Sequence, residues 1–232
     1  MPDLVSDWRN RLVREVRRKA IHLSGLSVPL GLILLGRSFT VWALVLVLAI
    51  SLILEAQRLQ GRISLPEVRE HEMTRVASYI YYMAGCLLTV LLFPESIAIV
   101  AILFLALGDT VSGLAGSILK NCDVRSSPAP AAQAAAATGA SPGARTLAWR
   151  VKPLPVLAAT FLACLFIGAL TSSLSGLAWP VYLSGAAGAA FADGVAVLVG
   201  GRSLDDNFSI PVLSGAVMGG AALAMAALEK VF

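Results

Sequence analysis

Apolar runs close to the roughly 20 residues that a helix needs to cross a hydrocarbon core recur along the chain, and nothing constrains its fold more. A water-soluble domain is excluded on the same ground. With 57% apolar residues, 14% charged residues and a mean hydropathy of +0.80 over 232 residues, there is too little polar side chain to cover a surface. The runs predict helices over 20–36, 38–54, 77–93, 95–119, 153–173, 179–200 and 209–228, an all-α polytopic bundle forming one integral membrane domain over 1–232. Gly36, Arg37 and Ser38 leave only a tight turn between the first two. That pair is therefore a helical hairpin or contains a partly re-entrant segment, and the count is six to seven.

The first nineteen residues carry Arg9, Arg11, Arg14, Arg17, Arg18 and Lys19 but no short apolar core with a small-residue cleavage site. They read as a basic interfacial helix rather than a cleavable signal. With seven crossings, one side would hold this segment and the connections 55–76, 120–152 and 200–208. Sixteen of the 18 basic residues fall there, leaving only Arg37 and Lys230 opposite. The positive-inside rule then puts the N-terminus in the cytosol, or on the cytosolic side of the inner membrane in a prokaryote. The net charge of +4 thus reports topology and membrane lipid contact, not nucleic acid.

Two stretches say little about chemistry. Cys86, Cys122 and Cys164 form no disulfide framework or metal knuckle. The segment 121–149 reads as a flexible cytosolic insertion, because Ser, Pro, Ala and Gly dominate most of it and supply nothing to pack a core.

The acids within apolar surroundings are more informative. Asp109 follows an apolar run, and a carboxylate there is costly unless it meets a cation, water or a hydrogen-bonding partner. Gly108, Ser112, Gly113 and Gly116 around it fit close helix packing, and equally the approach of a phosphate to backbone. Asp193 lies about seven residues, or ~10 Å, before the expected end of its helix; a helix-packing hydrogen bond is its bland reading. Asp205-Asp206-Asn207 stands at the entrance to the last helix, with Pro211 shortly after. Two carboxylates and an amide oxygen are hard donors of the kind Mg²⁺ takes when phosphates complete its shell. The same residues also suit a helix-entry turn.

Basic groups are expected on the same face. Lys19 and His22 are three apart, on one side of a helix entering the membrane. Glu72 and Arg75 precede the third helix with the spacing of an ordinary surface pair. Lys152 precedes the fifth, where an interfacial lysine that snorkels to the headgroups is the default.

In order along the chain, Glu15-Val16-Arg17-Arg18-Lys19-x-x-His22, Glu72-x-x-Arg75, Gly108-Asp109-x-x-Ser112-x-x-x-Gly116 and Asp205-Asp206-Asn207-x-x-x-Pro211 resemble the family of dolichol kinases, phytol kinases and CTP-dependent diacylglycerol kinases. The Asp-Asp-Asn-x-x-x-Pro block is the most specific part. The resemblance implies transfer of the γ-phosphate of a nucleoside triphosphate, commonly CTP, to the hydroxyl of a lipid alcohol, with Mg²⁺ required. By matching positions it assigns metal and triphosphate to Asp109, Asp205, Asp206 and Asn207, and metal also to Asp193, which stands where the family usually has Glu. Arg18, Lys19, His22, Glu72, Arg75 and Lys152, with Gly108 and Gly116, would neutralise phosphate or position the nucleotide and headgroup. Two departures stand out: Ser117-Ile118-Leu119-Lys120 replaces a basic residue followed by glycine, and Lys152-Pro153-Leu154-Pro155-Val156 replaces a Lys-Ser/Thr-x-x-Gly element. There is no Walker A loop. A phosphatidate cytidylyltransferase-like enzyme and a small transporter are the alternative classes. The first would need a longer Lys- and Gly-rich signature, and the second is favoured by inverted repeats, which this chain lacks.

Overall fold

The computed structural model describes residues 9, 12, 13, 16, 22–63, 75–118, 147–199 and 202–230. Within 1–19 only Arg9, Leu12, Val13 and Val16 are described, all helical. Arg18, Lys19, Glu72 and most of the 121–149 stretch lie outside the described residues.

A short 3-10 turn, Leu23–Leu26, leads into α1, Ser27–Leu59. Gly36 breaks α1 with φ 79° and ψ 169°, a conformation open to glycine because it has no Cβ. The break is a reversal. A Cβ built on Gly31 would lie 3.1 Å from Thr40 Oγ1, whereas nine residues of continuous helix span about 13.5 Å. Of the two sequence-level options for this pair, a hairpin with a tight turn at Gly36 describes it. Arg37, just past the turn, donates to the carbonyl oxygens of Leu91 (2.8 Å) and Phe93 (3.2 Å), satisfying acceptors that the end of the next helix leaves open.

That helix is α2, Ser78–Leu92, and Pro94 separates it from α3, Glu95–Ile118. A π-helical turn, Phe104–Gly108, interrupts α3 immediately before Asp109. Then follow strand β1 (Leu147–Val151), α4 (Leu154–Ser175), α5 (Trp179–Gly194), strands β2 (Val195–Val199) and β3 (Arg202–Ser203), and α6 (Asp206–Leu228).

The helical expectation describes the bundle, but the strands add a three-stranded antiparallel sheet in the order β1-β2-β3. Two expected boundaries change with it. Residues 147–149, expected in a structureless insertion, belong to β1, and the helix expected over 179–200 stops at Gly194. The sequence Val195-Ala196-Val197-Leu198-Val199 explains the second change: its valines are stiff at χ1 and suit a pleated strand, and a short apolar run has no periodicity to distinguish strand from helix end. The register Val151↔Val195 brings Lys152 opposite Gly194, and the Lys152 amide donates to the Gly194 carbonyl at 2.8 Å.

Among the described residues, four helical stretches are long and apolar enough to cross a membrane, the first counted with both arms of its hairpin: Leu23–Leu59, Glu95–Ile118, Leu154–Ser175 and Asp206–Leu228. Glu95–Ile118 is central, with 67% of its apolar window buried against 22–28% for the other three. Their outward faces carry Leu34, Trp42, Leu162, Phe166 and Leu223, all largely exposed. An apolar exterior around an apolar core suits hydrocarbon as the surrounding solvent. The core is built from α3 residues such as Ile102, Phe104 and Leu105 against Val90, Cys164, Tyr182, Ala186, Ile210 and Met218.

At one end of the bundle a buried ion pair ties α1 to α2. Arg58 donates through Nε and Nη2 to Glu55 at 2.8 and 2.6 Å, and Glu55 also accepts from the Ala77 amide (2.8 Å) and the Tyr79 hydroxyl (2.7 Å). Arg58 Nη2 reaches the Arg75 carbonyl at 2.6 Å as well. The helix expected to stop at 54 runs on to Leu59 because Glu55 and Arg58, three apart, neutralise each other inside it.

Candidate functional site

Asp109, Asp193 and Asp206 arrive from three helices, with one carboxylate oxygen of each within 4.8 Å of the others. Asp109 and Asp193 are buried and Asp206 is half-buried. The local backbone explains each position. Asp109 follows directly on the π turn, whose extra residue rotates the side chains beyond it relative to those before. Gly108 permits α3 to lie against α4, since a Cβ there would come within 2.7 Å of Cys164 Sγ. Thus Gly108 serves helix packing. Gly116 is half-buried two turns further along.

Asp205 and Asp206 play different parts. Helix α6 begins at Asp206, three residues earlier than expected, and Asp205 is its N-cap, accepting from the Asn207 amide at 3.0 Å. Asp205 caps the helix and is not one of the three convergent carboxylates. Asp206 opens the first turn, where the helix dipole favours an anion, and its Oδ1 also receives the Asn207 amide at 3.1 Å. Asn207 is buried, and its Oδ1 has no hydrogen-bond partner among the described residues.

Asp193 is the next-to-last residue of α5, not seven residues inside it, because the chain turns into β2 after Gly194. It is wholly buried. Lys152 Nζ reaches its Oδ1 at 2.6 Å, while the Ser112 and Thr160 hydroxyls both donate to Oδ2, Thr160 at 3.1 Å. Lys152 Nζ also lies 3.2 Å from Ser112 Oγ. Instead of snorkelling outward, Lys152 points inward. Burial disfavours its charged form, but Asp193, Asp206 and Asp109 outweigh that effect and hold the ammonium above the ordinary lysine range.

His22, at the start of the hairpin, brings Nε2 to 3.3 Å from Asp109 Oδ2. Its ring meets Tyr82 of α2 edge-on, with centroids 4.6 Å apart. Gly25 makes that possible, since a Cβ there would sit 1.7 Å from the Tyr82 hydroxyl. Arg75 is exposed, and its backbone is held by Arg58 rather than placed in the carboxylate group. Sequence reasoning did not single out Tyr82, Thr160, Glu55 or Arg58. Glu55 and Arg58 carried a legible signal, opposite charges three apart at the end of an apolar run; Thr160 carried none.

The donor set fits a hard divalent cation. Oxygen ligands about 2.1 Å from Mg²⁺ stand about 3 to 4.2 Å apart around an octahedron, and the three carboxylates lie within 4.8 Å of one another. An unpartnered buried amide oxygen on Asn207, next to Asp206, adds a neutral donor of the same kind. Carboxylate and amide oxygens of this kind suit a hard cation rather than a thiolate-preferring metal. No protein-family model, curated protein or solved structure matches the chain.

Proposed function

We propose that this protein is a multi-pass membrane kinase with a cytosolic N-terminus that transfers the γ-phosphate of a nucleoside triphosphate, CTP by family resemblance, to the hydroxyl of a lipid alcohol. The observation that carries the reading is the meeting of Asp109, Asp193 and Asp206 with Lys152 and His22, contributed by five stretches of chain, at one level of an apolar bundle. In the proposed topology the two arms of α1 and helices α2 to α6 make seven spans. Asp109 lies nine residues before the end of α3, so the chemistry sits about 14 Å below that end, level with the start of α6.

Phosphoryl transfer needs positioning and charge neutralisation more than a covalent catalyst, and these side chains supply both. Asp109 and Asp206 would hold Mg²⁺, which when bound neutralises the triphosphate. Lys152 presents its ammonium to the transferring phosphate, and His22 stands beside the Asp109 carboxylate, its Nε2 3.3 Å from Oδ2. The lipid keeps its tail against the apolar helices and brings its hydroxyl to the cluster. Its oxygen forms the new bond to phosphorus as the bond to the β-phosphate oxygen breaks. The hydroxyl proton passes to a carboxylate of the cluster, and the nucleoside diphosphate leaves.

The test is transfer by purified protein with Mg²⁺ and CTP or ATP, against a polyprenol, a phytol-like alcohol and diacylglycerol. Label in the γ position is expected to appear in lipid. Label from the α position in lipid would instead indicate cytidylyl transfer, and no label from either nucleotide with any acceptor would refute the reading.

A further inference from the structure

We infer that Asp193 is a positioning residue that aims Lys152 into the carboxylate cluster, and is not itself a ligand of the divalent ion. This deepens the kinase reading and rests on it for the purpose that Lys152 serves. Three observations carry it. Asp193 is wholly buried and already has three donors within reach, Lys152 on one oxygen and Ser112 and Thr160 on the other, Thr160 sharing its one proton with the Val156 carbonyl at 3.0 Å. An ionised carboxylate has about four acceptor directions, so these donors take most of its capacity. Second, Lys152 is tied to the same short stretch twice: its amide bonds to the Gly194 carbonyl and its ammonium to Asp193, so strand register and ion pair fix its position together. Third, Ser112 bridges the pair. Its hydroxyl donates to Asp193 while its oxygen lies within 3.2 Å of Lys152 Nζ, and it stands three residues after Asp109 on α3. A long flexible lysine is thereby held in one direction before any phosphate arrives, which lowers the ordering cost at binding.

On this reading Thr160 belongs to the machinery too. It sits on α4, four residues after the element that departs from the family pattern, and adds a second hydroxyl to the oxygen of Asp193 that Lys152 does not use.

Removing Asp193 alone changes the local charge and strands a buried ammonium, so the informative variant is K152M/D193N, which removes one charge of each sign. Mn²⁺ binding to the full-length protein in detergent, followed by electron paramagnetic resonance, is expected to be retained in this double variant. In D206N it is expected to weaken about tenfold or more, as loss of a true ligand should cost at least what loss of an outer-shell partner does. A comparable weakening in K152M/D193N would overturn the inference. Positioning is read separately, by the rate at which an amine-acylating ester modifies Lys152, mapped by mass spectrometry. D193N and T160V should each speed that reaction, T160V less, whereas unchanged protection in D193N would also overturn it. Absence of Mn²⁺ binding in the unsubstituted protein would instead refute the metal site proposed above, leaving the Lys152 acylation result to decide the role of Asp193.

Discussion

Gly85 of α2 faces the backbone of α6 so closely that a Cβ on it would lie 2.8 Å from the Asn207 carbonyl oxygen and 3.0 Å from the Phe208 Cα. Pro211 explains why that carbonyl is available, since the residue four further on has no N–H to donate to it. Gly85 and Pro211 thus set the distance between α2 and the turn that carries Asp206. G85A is expected to push α6 outward against backbone that cannot yield as a side chain would. The cost should be about 1 to 3 kcal/mol, typical of overpacking, together with weakened transfer. Thermal unfolding in detergent, alongside activity at a temperature where the variant is folded, checks both effects; unchanged values of both would show that the helices separate freely there.

A second dependence lies away from the carboxylates. Glu55 and Arg58 are both buried, and Glu55 also holds the Ala77 amide and the Tyr79 hydroxyl at the start of α2. Replacing either charge removes the group that neutralises the other in a site with little solvent access, so E55A or R58A should destabilise by about 3 to 5 kcal/mol, whereas E55L/R58M should lose much less. The measurement is again thermal unfolding, and the outcome against the idea is additive loss in the double variant.

The proposed centre of the reaction is tested by D109N and D206N. Each keeps the size of the side chain and removes one charge from the cluster, so both should fall below detectable transfer while inserting into membranes normally. D205N should retain capping of α6 through its amide oxygen and keep most activity, because Asp205 bonds to the Asn207 amide and lies outside the carboxylate group. Loss of transfer in D205N equal to that in D206N would place Asp205 among the ligands after all.

These contrasts mark where sequence sufficed. The bundle was legible because apolar length is a one-dimensional property, and the break at Gly36 announced itself as a glycine between two apolar runs. Asp109 was legible because a carboxylate after an apolar run has few bland explanations. The division of labour between Asp205 and Asp206 was not, since adjacent acids look alike until the helix start assigns one to the cap. Nor was the inward turn of Lys152. It depends on β1 pairing with β2, a contact between residues more than forty positions apart, in segments whose composition suggested an insertion and a helix end.

Lys152 also gives the site a distinct alkaline limit. The Asp193, Asp206 and Asp109 carboxylates, from α5, α6 and α3, hold its ammonium above the ordinary value of 10.5, although burial alone would lower it. A lysine whose folded pKa is raised contributes stability that is fully present below 10.5 and is lost as pH rises through the higher folded value. The stability difference between the unsubstituted protein and K152M/D193N should therefore stay constant from neutral pH to about 10 and shrink only above it. Chemical denaturation at a series of pH values measures that difference. A difference that instead grew as pH rose towards 10.5 would mean that the folded protein loses the ammonium before the unfolded chain does, and that the three carboxylates do not act on it as their geometry requires.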